Sequence, residues 1–347
     1  MRYVDVAGVR VSAIGVGTWQ FGSSEWGYGE RYASNTAHQI VHRALEMGVN
    51  LIDTAEIYGM GRSERIVGDA LQDRRNQAFV ATKLLPIMPL SPVVQWRGVQ
   101  SARRLRVDHL DLYQVHWPNP IVPVPATMRG LRALLDVGLV RHVGVSNFPT
   151  EWWRRAERSL GSPVLSNQVQ YSLAQRKPDR DGGSVPYAQQ YGRLVIAYSP
   201  LAQGLLGGRY DADHPPSGAA RANNPLFLRE NLELAQGLIT ALRDIARVHG
   251  ATPAQVALAW VIRRPNVVAI PGASSVEQLE RNCEAADLEL SDDEDARLTR
   301  ESDEFRPRTG VAAVPAMLAA RRAGTVSTVD ETAREEMGSE VADFAPS

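Results

Sequence analysis

Short apolar runs ending in polar or reactive side chains alternate along this chain with stretches of helical period. Tyr3–Val6 and Val9–Ser12 flank Ala7-Gly8 and predict a β-hairpin. Residues 13–19 form a short apolar strand that ends in glycines. From Asn35 the period lengthens: Ile40, Val41, Ala44, Leu45 and Met47 share one helical face, and Gly48 stops it. Residues 49–52 then read as a buried strand ending at Asp53, with residues 54–59 as the loop leaving it. A second helix opens at Gly61, with Ser63 as its expected N-cap, and runs to Leu71.

The alternation continues. Residues 78–83 predict a strand ending in Lys83, and Ser91-Pro92 opens a helix to about Leu105 in the cap-then-proline order. Residues 110–115 predict a strand with His116 at its end, followed by a helix over 126–137. Strands over 140–145, 163–168 and 194–200 end in Ser146-Asn147-Phe148, in amides, and in Tyr198-Ser199-Pro200. The stretch 203–224 is rich in Gly, Pro and Asn, and a loop that long within a fold is usually a lid or a binding element. Helical patterns return over 232–248 and, after Thr252-Pro253, over 254–262. The last strand, 267–270, runs into Pro271-Gly272-Ala273-Ser274, and Ser275 caps a helix toward Cys283.

Eight strands alternating with helices imply a parallel sheet with right-handed crossovers, and eight units predict closure into a (β/α)8 TIM barrel. The expected organisation is a single barrel domain over residues 1–309, with an N-terminal hairpin and a long loop after the seventh strand, and a tail over 310–347. Gly310 to Gly324 is Ala-rich and predicts a short helix; residues 325–347 carry six acids and one Arg, an expected loosely attached or disordered end. In such a barrel Asp53, Lys83, His116, Asn147, Gln168 and Tyr198 all face one mouth, although the sequence scatters them.

Composition narrows the classes. The 347 residues are 44% hydrophobic and 22% charged, an ordinary globular balance. A net charge of −1 gives no electrostatic footprint for nucleic acid. There is no signal-like N-terminus and no membrane-length apolar run, and Cys283 is the sole cysteine, so a cytoplasmic protein without disulfides is expected. Of 38 basic residues only Lys83 and Lys177 are lysine, which makes a lysine at a strand end conspicuous. Gly15-Val16-Gly17-Thr18-Trp19-Gln20 begins like a dinucleotide fingerprint, but Gln20 replaces the third glycine and no helix opens after it. Those glycines instead suit close backbone approach to a ligand or to neighbouring chain.

Taken together the motifs resemble the aldo-keto reductase family, in its bacterial branch that includes channel β-subunit-like reductases. They are Gly17-Thr18-Trp19, Asp53-Thr54-Ala55 with Tyr58-Gly59, Gly61-Arg62-Ser63-Glu64, Ala81-Thr82-Lys83, Asp111-Leu112-Tyr113 with His116-Trp117, Gly144-Val145-Ser146-Asn147-Phe148, Tyr198-Ser199-Pro200-Leu201 and Ile270-Pro271-Gly272-Ala273. The resemblance runs from about Tyr3 to Leu290. It implies a catalytic tetrad of Asp53, Tyr58, Lys83 and His116, and NADP(H) bound without a Rossmann domain over the barrel mouth. It assigns Ser146, Asn147 and Gln168 to the cofactor carboxamide and lays Tyr198 against the nicotinamide ring. Gly17, Thr18, Trp19 and Asp53 join the cofactor groove, as do Ser199, Pro200, Leu201, Gln203, Gly204 and Leu206, with Arg209 and Arg221 toward the pyrophosphate. Gly272, Ala273, Ser274, Gln278, Arg281 and Asn282 fall to the adenosine end; Ser274-Ser275 stands where many relatives carry Lys or Arg for the 2′-phosphate. Trp19, Trp117, Tyr58 and His116, with Trp26 or Tyr28, would line a cleft for a small-molecule carbonyl substrate.

The implied chemistry is hydride transfer to an aldehyde or ketone, with Tyr58 as proton donor and NADPH preferred. Free Tyr has a pKa of about 10, and a nearby cation is expected to lower it by about 1–3 units. Lys83 is that cation, Asp53 would keep it charged, and His116 would hydrogen-bond the carbonyl oxygen. Two other classes compete: a nucleotide-binding regulatory subunit of the same fold that acts through a protein partner, and a metal-dependent barrel hydrolase. The second would need clustered ligands such as His-x-His at a strand end, and the sequence has none.

Overall fold

Eight strands, most only three to six residues long and buried along nearly their whole length, account for the apolar runs. The computed structural model describes residues 1–22, 34–216, 221 and 223–322, which form two units. The first unit comprises Met1–Gly208 and Leu238–Glu304; the second comprises Arg209–Gly237 and the chain from Phe305 on.

The first unit opens with the expected hairpin: β1, Tyr3–Val6, pairs antiparallel with β2, Val9–Ser12. Ala7 and Gly8 turn it at φ 50° and 76°, the left-handed pair a two-residue hairpin favours. The strands β3 (Val16–Gly17), β4 (Leu51–Asp53), β5 (Phe79–Leu84), β6 (Leu110–Val115), β7 (Val140–Ser146), β8 (Ser166–Gln170), β9 (Leu194–Tyr198) and β10 (Val267–Ala269) lie side by side in chain order. Every pairing among them is parallel.

The sheet closes on itself. Gly15 N–H donates to Ala269 O at 2.8 Å, Ala269 N–H to Ala13 O at 2.9 Å, and Gly17 N–H to Pro271 O at 3.1 Å. A Cβ on Gly17 would lie 2.6 Å from Ile270 O, and one on Gly15 would lie 2.8 Å from Leu51 O. The glycines of the false dinucleotide motif therefore serve barrel closure. The hairpin covers the end where the strands begin: Asn50, just before β4, accepts from Ser12 N–H at 2.7 Å and donates to Arg10 O at 2.9 Å. Val6, Val9 and Val11 join Leu51, Ala81, Leu112, Leu165, Leu194, Ile196 and Val268 in one core cluster.

Helices Ser34–Glu46, Arg62–Leu71, Ser91–Leu105 and Val124–Asp136 follow the sequence reading closely. Thr150–Leu160, Ser184–Tyr191 and Asp292–Glu304 are helices beyond those the sequence pattern predicts. The helical stretch expected over 232–248 breaks at Ala235 into Arg229–Leu234 and Gln236–Val248. Thr252 caps Pro253–Ile262 through a full capping box with Gln255, and Ser275 caps Val276–Glu284 by accepting from Gln278 N–H. Two expected caps differ. Ser63 is not an N-cap: Gly61, at φ 81°, turns the chain into the helix, and the Ser63 side chain is wholly buried. Ser91 is the first helical residue, after an extended Leu90, and its hydroxyl accepts from Gln95 Nε2 at 3.0 Å.

In the second unit Asn231 is the organising side chain. Fully buried, it donates to Pro225 O and Arg308 O at 2.7 and 2.9 Å and accepts from Arg308 N–H at 2.8 Å. Tyr210 meets Phe227 edge-on at 5.5 Å. The expected short helix near the end is Val314–Arg322; residues 325–347 lie outside the described residues, as do Trp26 and Tyr28. Among the described residues no helix is long and apolar enough to cross a membrane.

Candidate active site

Three acceptors converge on one ammonium at the barrel mouth. Lys83, on β5, is completely buried; its Nζ donates to Asp53 Oδ1 at 2.6 Å, to Thr54 O at 2.8 Å and to Tyr58 Oη at 3.2 Å. An ammonium has three N–H groups, so all of them are used. Asp53 ends β4, beside β5, and its other oxygen accepts from Gln168 Nε2 at 2.7 Å. Both carboxylate oxygens thus accept hydrogen bonds, the pattern of an ionised group. Burial pushes the Asp53 pKa up, against the pull of Lys83 and Gln168. Burial also acts to lower the pKa of Lys83, but Asp53 and Tyr58 outweigh it and hold the lysine above its ordinary value. The group is therefore an ammonium at neutral pH.

Tyr58 corrects one expectation. Burial raises its pKa by more than Lys83 lowers it, so the phenol lies above its ordinary value and not below it. The site as folded holds a protonated phenol next to a cation.

His116 follows β6. Its ring lies edge-on to Tyr58, with centroids 5.8 Å apart, and stacks on Trp117 at 3.8 Å. Its Nδ1 is buried without a hydrogen-bond partner among the described residues. Burial, and then Lys83, push its pKa down to about 2. His116 is therefore a neutral imidazole, able to donate one hydrogen bond but not to carry charge at working pH. Its NMR ring signals are expected not to titrate between about pH 8 and 5, where an ordinary histidine does. A midpoint near 6.5 would contradict this. The sign for stability follows: the unfolded histidine takes a proton below about pH 6.5 and the folded one does not, so stability is lost as pH falls below that value.

On the far side of Asp53 lie the next strand ends. Ser146 ends β7 and is buried; Asn147, at φ 59°, donates to Ser146 Oγ at 3.1 Å and to His116 O at 3.3 Å. Tyr198, at the end of β9, donates its hydroxyl to Asn147 Oδ1 at 2.9 Å. Asp53, Tyr58, Lys83, His116, Ser146, Asn147, Gln168 and Tyr198 are thus linked by hydrogen bonds or ring contact into one cluster. Thr18 braces it from behind: its N–H and Oγ1 both donate to Asp53 O, at 3.0 and 2.8 Å. Ser63 Oγ sits between Thr18 Oγ1 at 2.7 Å and Thr54 Oγ1 at 2.9 Å, which is what its buried hydroxyl does in place of capping. Trp19 and Trp117 are 45% and 40% exposed.

The remaining candidates form separate groups. After β9, Ser199, Ala202, Gln203 and Gly204 all take positive φ, while Leu206 is fully buried. After β10, which adjoins β9, Gln20 Nε2 donates to Ala273 O at 2.8 Å and Asn282 Nδ2 to Gly272 O at 3.4 Å. Gln278 Oε1 accepts from both Ser274 N–H and Ser274 Oγ, at 2.9 and 3.1 Å. Arg281 pairs with Glu277 at 2.5 Å on the helix surface. Arg209 and Arg221 belong to the second unit.

A model of the Aldo/keto reductase family matches residues 13–302. An uncharacterised oxidoreductase of Mycobacterium tuberculosis is 55% identical over 308 residues, 88% of this chain and 94% of that one. An NADH-specific methylglyoxal reductase of Escherichia coli is 31% identical over 327 residues, 86% of this chain and 97% of its own. The crystal structure of an aldo/keto reductase from Klebsiella pneumoniae in complex with NADP and acetate superposes with a TM-score of 0.70 at 30% identity, covering 89% of this chain and 98% of that one.

Proposed function

This chain belongs to the aldo/keto reductase family of oxidoreductases, and from that premise we propose that it reduces the carbonyl of a neutral aldehyde or ketone with NADPH. The observation that carries the reading is the Tyr58 hydroxyl, a phenol whose pKa burial raises despite the Lys83 ammonium 3.2 Å away. A nicotinamide cofactor, when bound, supplies the hydride. The protein then has to orient the carbonyl and deliver a proton to its oxygen. Tyr58 is the donor in this reading. Lys83 offsets the charge left on the phenolate, and Asp53 fixes Lys83 in place. His116, neutral and with Nε2 making no hydrogen bond among the described residues, donates to the same oxygen.

The surrounding donor set suits such a cofactor. Ser146, Asn147 and Gln168 present the hydroxyl and amide groups that a carboxamide needs; Gln168 Oε1 accepts no hydrogen bond among the described residues. The half-buried Tyr198 ring offers a flat face. On the substrate side, residues 84–96 and 116–128, which begin at the end of β5 and just beyond β6, contain no Asp, Glu, Lys or Arg. Neutral carbonyls should therefore be preferred over carboxylate-bearing ones. A carbonyl panel under NADPH and NADH, followed by cofactor absorbance, tests the function. No cofactor oxidation with any carbonyl would overturn it.

NADPH is expected to exceed NADH in kcat/KM by about tenfold or more, the worth of one or two charge-assisted hydrogen bonds. Ser274, just before the cap of Val276–Glu284, would turn its hydroxyl and N–H from Gln278 Oε1 to the 2′-phosphate. Arg281, two turns on, would have to exchange Glu277 for it. Arg281→Ala should then raise KM for NADPH and leave NADH nearly unchanged. Equal efficiency with both cofactors, in dilute buffer, would mark this helix terminus as lacking a phosphate site.

A further inference from the structure

The loop that carries Tyr58 rests on a chain of four buried or half-buried charges. Glu56 lies between Asp53 and Tyr58, and its N–H donates to Lys83 O at 3.2 Å. Its carboxylate accepts from Leu85 N–H and, at 2.6 Å, from Arg97 Nη1. Arg104, seven residues along the same helix and so on the same face, lies 3.8 Å from the second Glu56 oxygen and 2.5 Å from Glu64. Glu64 is fully buried and accepts from Thr82 Oγ1 at 2.6 Å. The chain of charges therefore starts in the Tyr58 loop and ends at Thr82, the residue before Lys83 on β5.

Burying four charges to stabilise a fold is inefficient, because well-packed apolar side chains do as well. What a carboxylate gripped by two donors adds is direction. Glu56 ties residues 54–58 at once to β5, to the residue that follows it and to the helix behind. A displacement of about 1 Å in a reacting group can cost about 10²-fold in rate.

We propose that Glu56, gripped by Arg97, is a positioning residue that sets the Tyr58 hydroxyl against the Lys83 ammonium. The proposal deepens the reading of Tyr58 as proton donor and rests on it.

Three variants test it: Glu56→Gln, the double variant Glu56→Gln/Arg97→Met, and Arg97→Lys. Each is measured for kcat, KM, thermal midpoint and the Tyr58 phenol titration, read by ultraviolet difference against Tyr58→Phe. Among the described residues, the groups that face this phenol are Lys83, Asp53, Tyr198 and the His116 ring, and all are retained. Glu56→Gln is expected to lower kcat about 10–100-fold with KM for cofactor within about threefold. It should also lower the thermal midpoint, because Arg97 loses its charged partner. The double variant removes both charges and should recover the midpoint but not kcat, and its Tyr58 titration should remain displaced. Arg97→Lys, which keeps one charge, should fall between the parent and Glu56→Gln in kcat.

Recovery of kcat together with the midpoint in the double variant would show that Glu56 is only structural and overturn the proposal. So would a Glu56→Gln protein with parental kcat and an unmoved titration. If the parent oxidises no cofactor with any carbonyl, the proton-donor reading fails by itself. The Tyr58 titration still decides the positioning, since it needs no turnover.

Discussion

A Tyr58→Phe protein is expected to fold and to bind cofactor like its parent while losing carbonyl turnover by about 10²–10⁴-fold, the contribution of a positioned acid. The substitution removes one oxygen. Lys83 keeps its shorter bonds to Asp53 Oδ1 and Thr54 O, at 2.6 and 2.8 Å, so the buried charge stays paired. The cost in stability should be about 1 kcal/mol, that of a single hydrogen bond. Burial holds the Tyr58 pKa above its ordinary value, so the donor form is fully populated at neutral pH. Reduction by the parent should therefore stay level through neutrality and fall only in alkali as the phenol ionises; alcohol oxidation, which needs the phenolate, should rise with pH. Single-turnover kinetics with saturating cofactor would check both points. A Tyr58→Phe protein that reduces carbonyls at the parental rate, with chemistry rate-limiting, would take the donor role away from this residue.

Lys83→Arg should be nearly as damaging, although it preserves the charge. The ammonium is wholly buried and meets three acceptors from three directions. A guanidinium is planar and wider and carries five N–H groups, more than the pocket has acceptors for. To enter, it must displace either Asp53 from Gln168 or Tyr58 from its place. Turnover is expected to drop by at least about 100-fold. Overpacking should add a destabilisation of about 1–3 kcal/mol. The chain itself uses arginine at nearly every other basic position, with Lys177 the one further lysine. Comparing kcat, its pH profile and the thermal midpoint with those of Lys83→Met separates shape from charge. The Met variant leaves Asp53 buried with only Gln168 and should cost about 3–5 kcal/mol. An Arg variant with parental kcat and pH profile would dismiss the steric account.

Much of the barrel was legible because each strand is a short apolar run that stops at a polar residue, and the runs ending at Asp53, Lys83 and His116 have that form. Side chains at such ends meet wherever eight units close, so their convergence needed no long-range information. Tyr58 was legible only through its motif. The helix Thr150–Leu160 buries Trp153, Ala156 and Leu160, a true helical face, but Pro149 and five charged residues in its length mask it. Ser63 misled because cap preferences describe a hydroxyl facing its own helix start, whereas here Thr18 and Thr54 claim it. The bond from Gln168 to Asp53 spans 115 residues and leaves no local trace. The direction of the Tyr58 pKa depends on depth of burial, which a motif does not contain.

The seam where β3 meets the segment after β10 also bears on how the barrel is made. Its partners, Gly17 and Gly272, stand near opposite ends of the folded strands' order, so this pairing is among the last that synthesis permits. Until β10 emerges, β3 and β9 each present an open edge of the kind that recruits other chains. Contacts so distant in sequence form slowly, which lengthens that exposure. A methyl group at Gly17 would meet Ile270 O at 2.6 Å and wedge the seam apart. The bare α-carbon there thus ends the exposure of both edges once β10 arrives, because it lets the seam close.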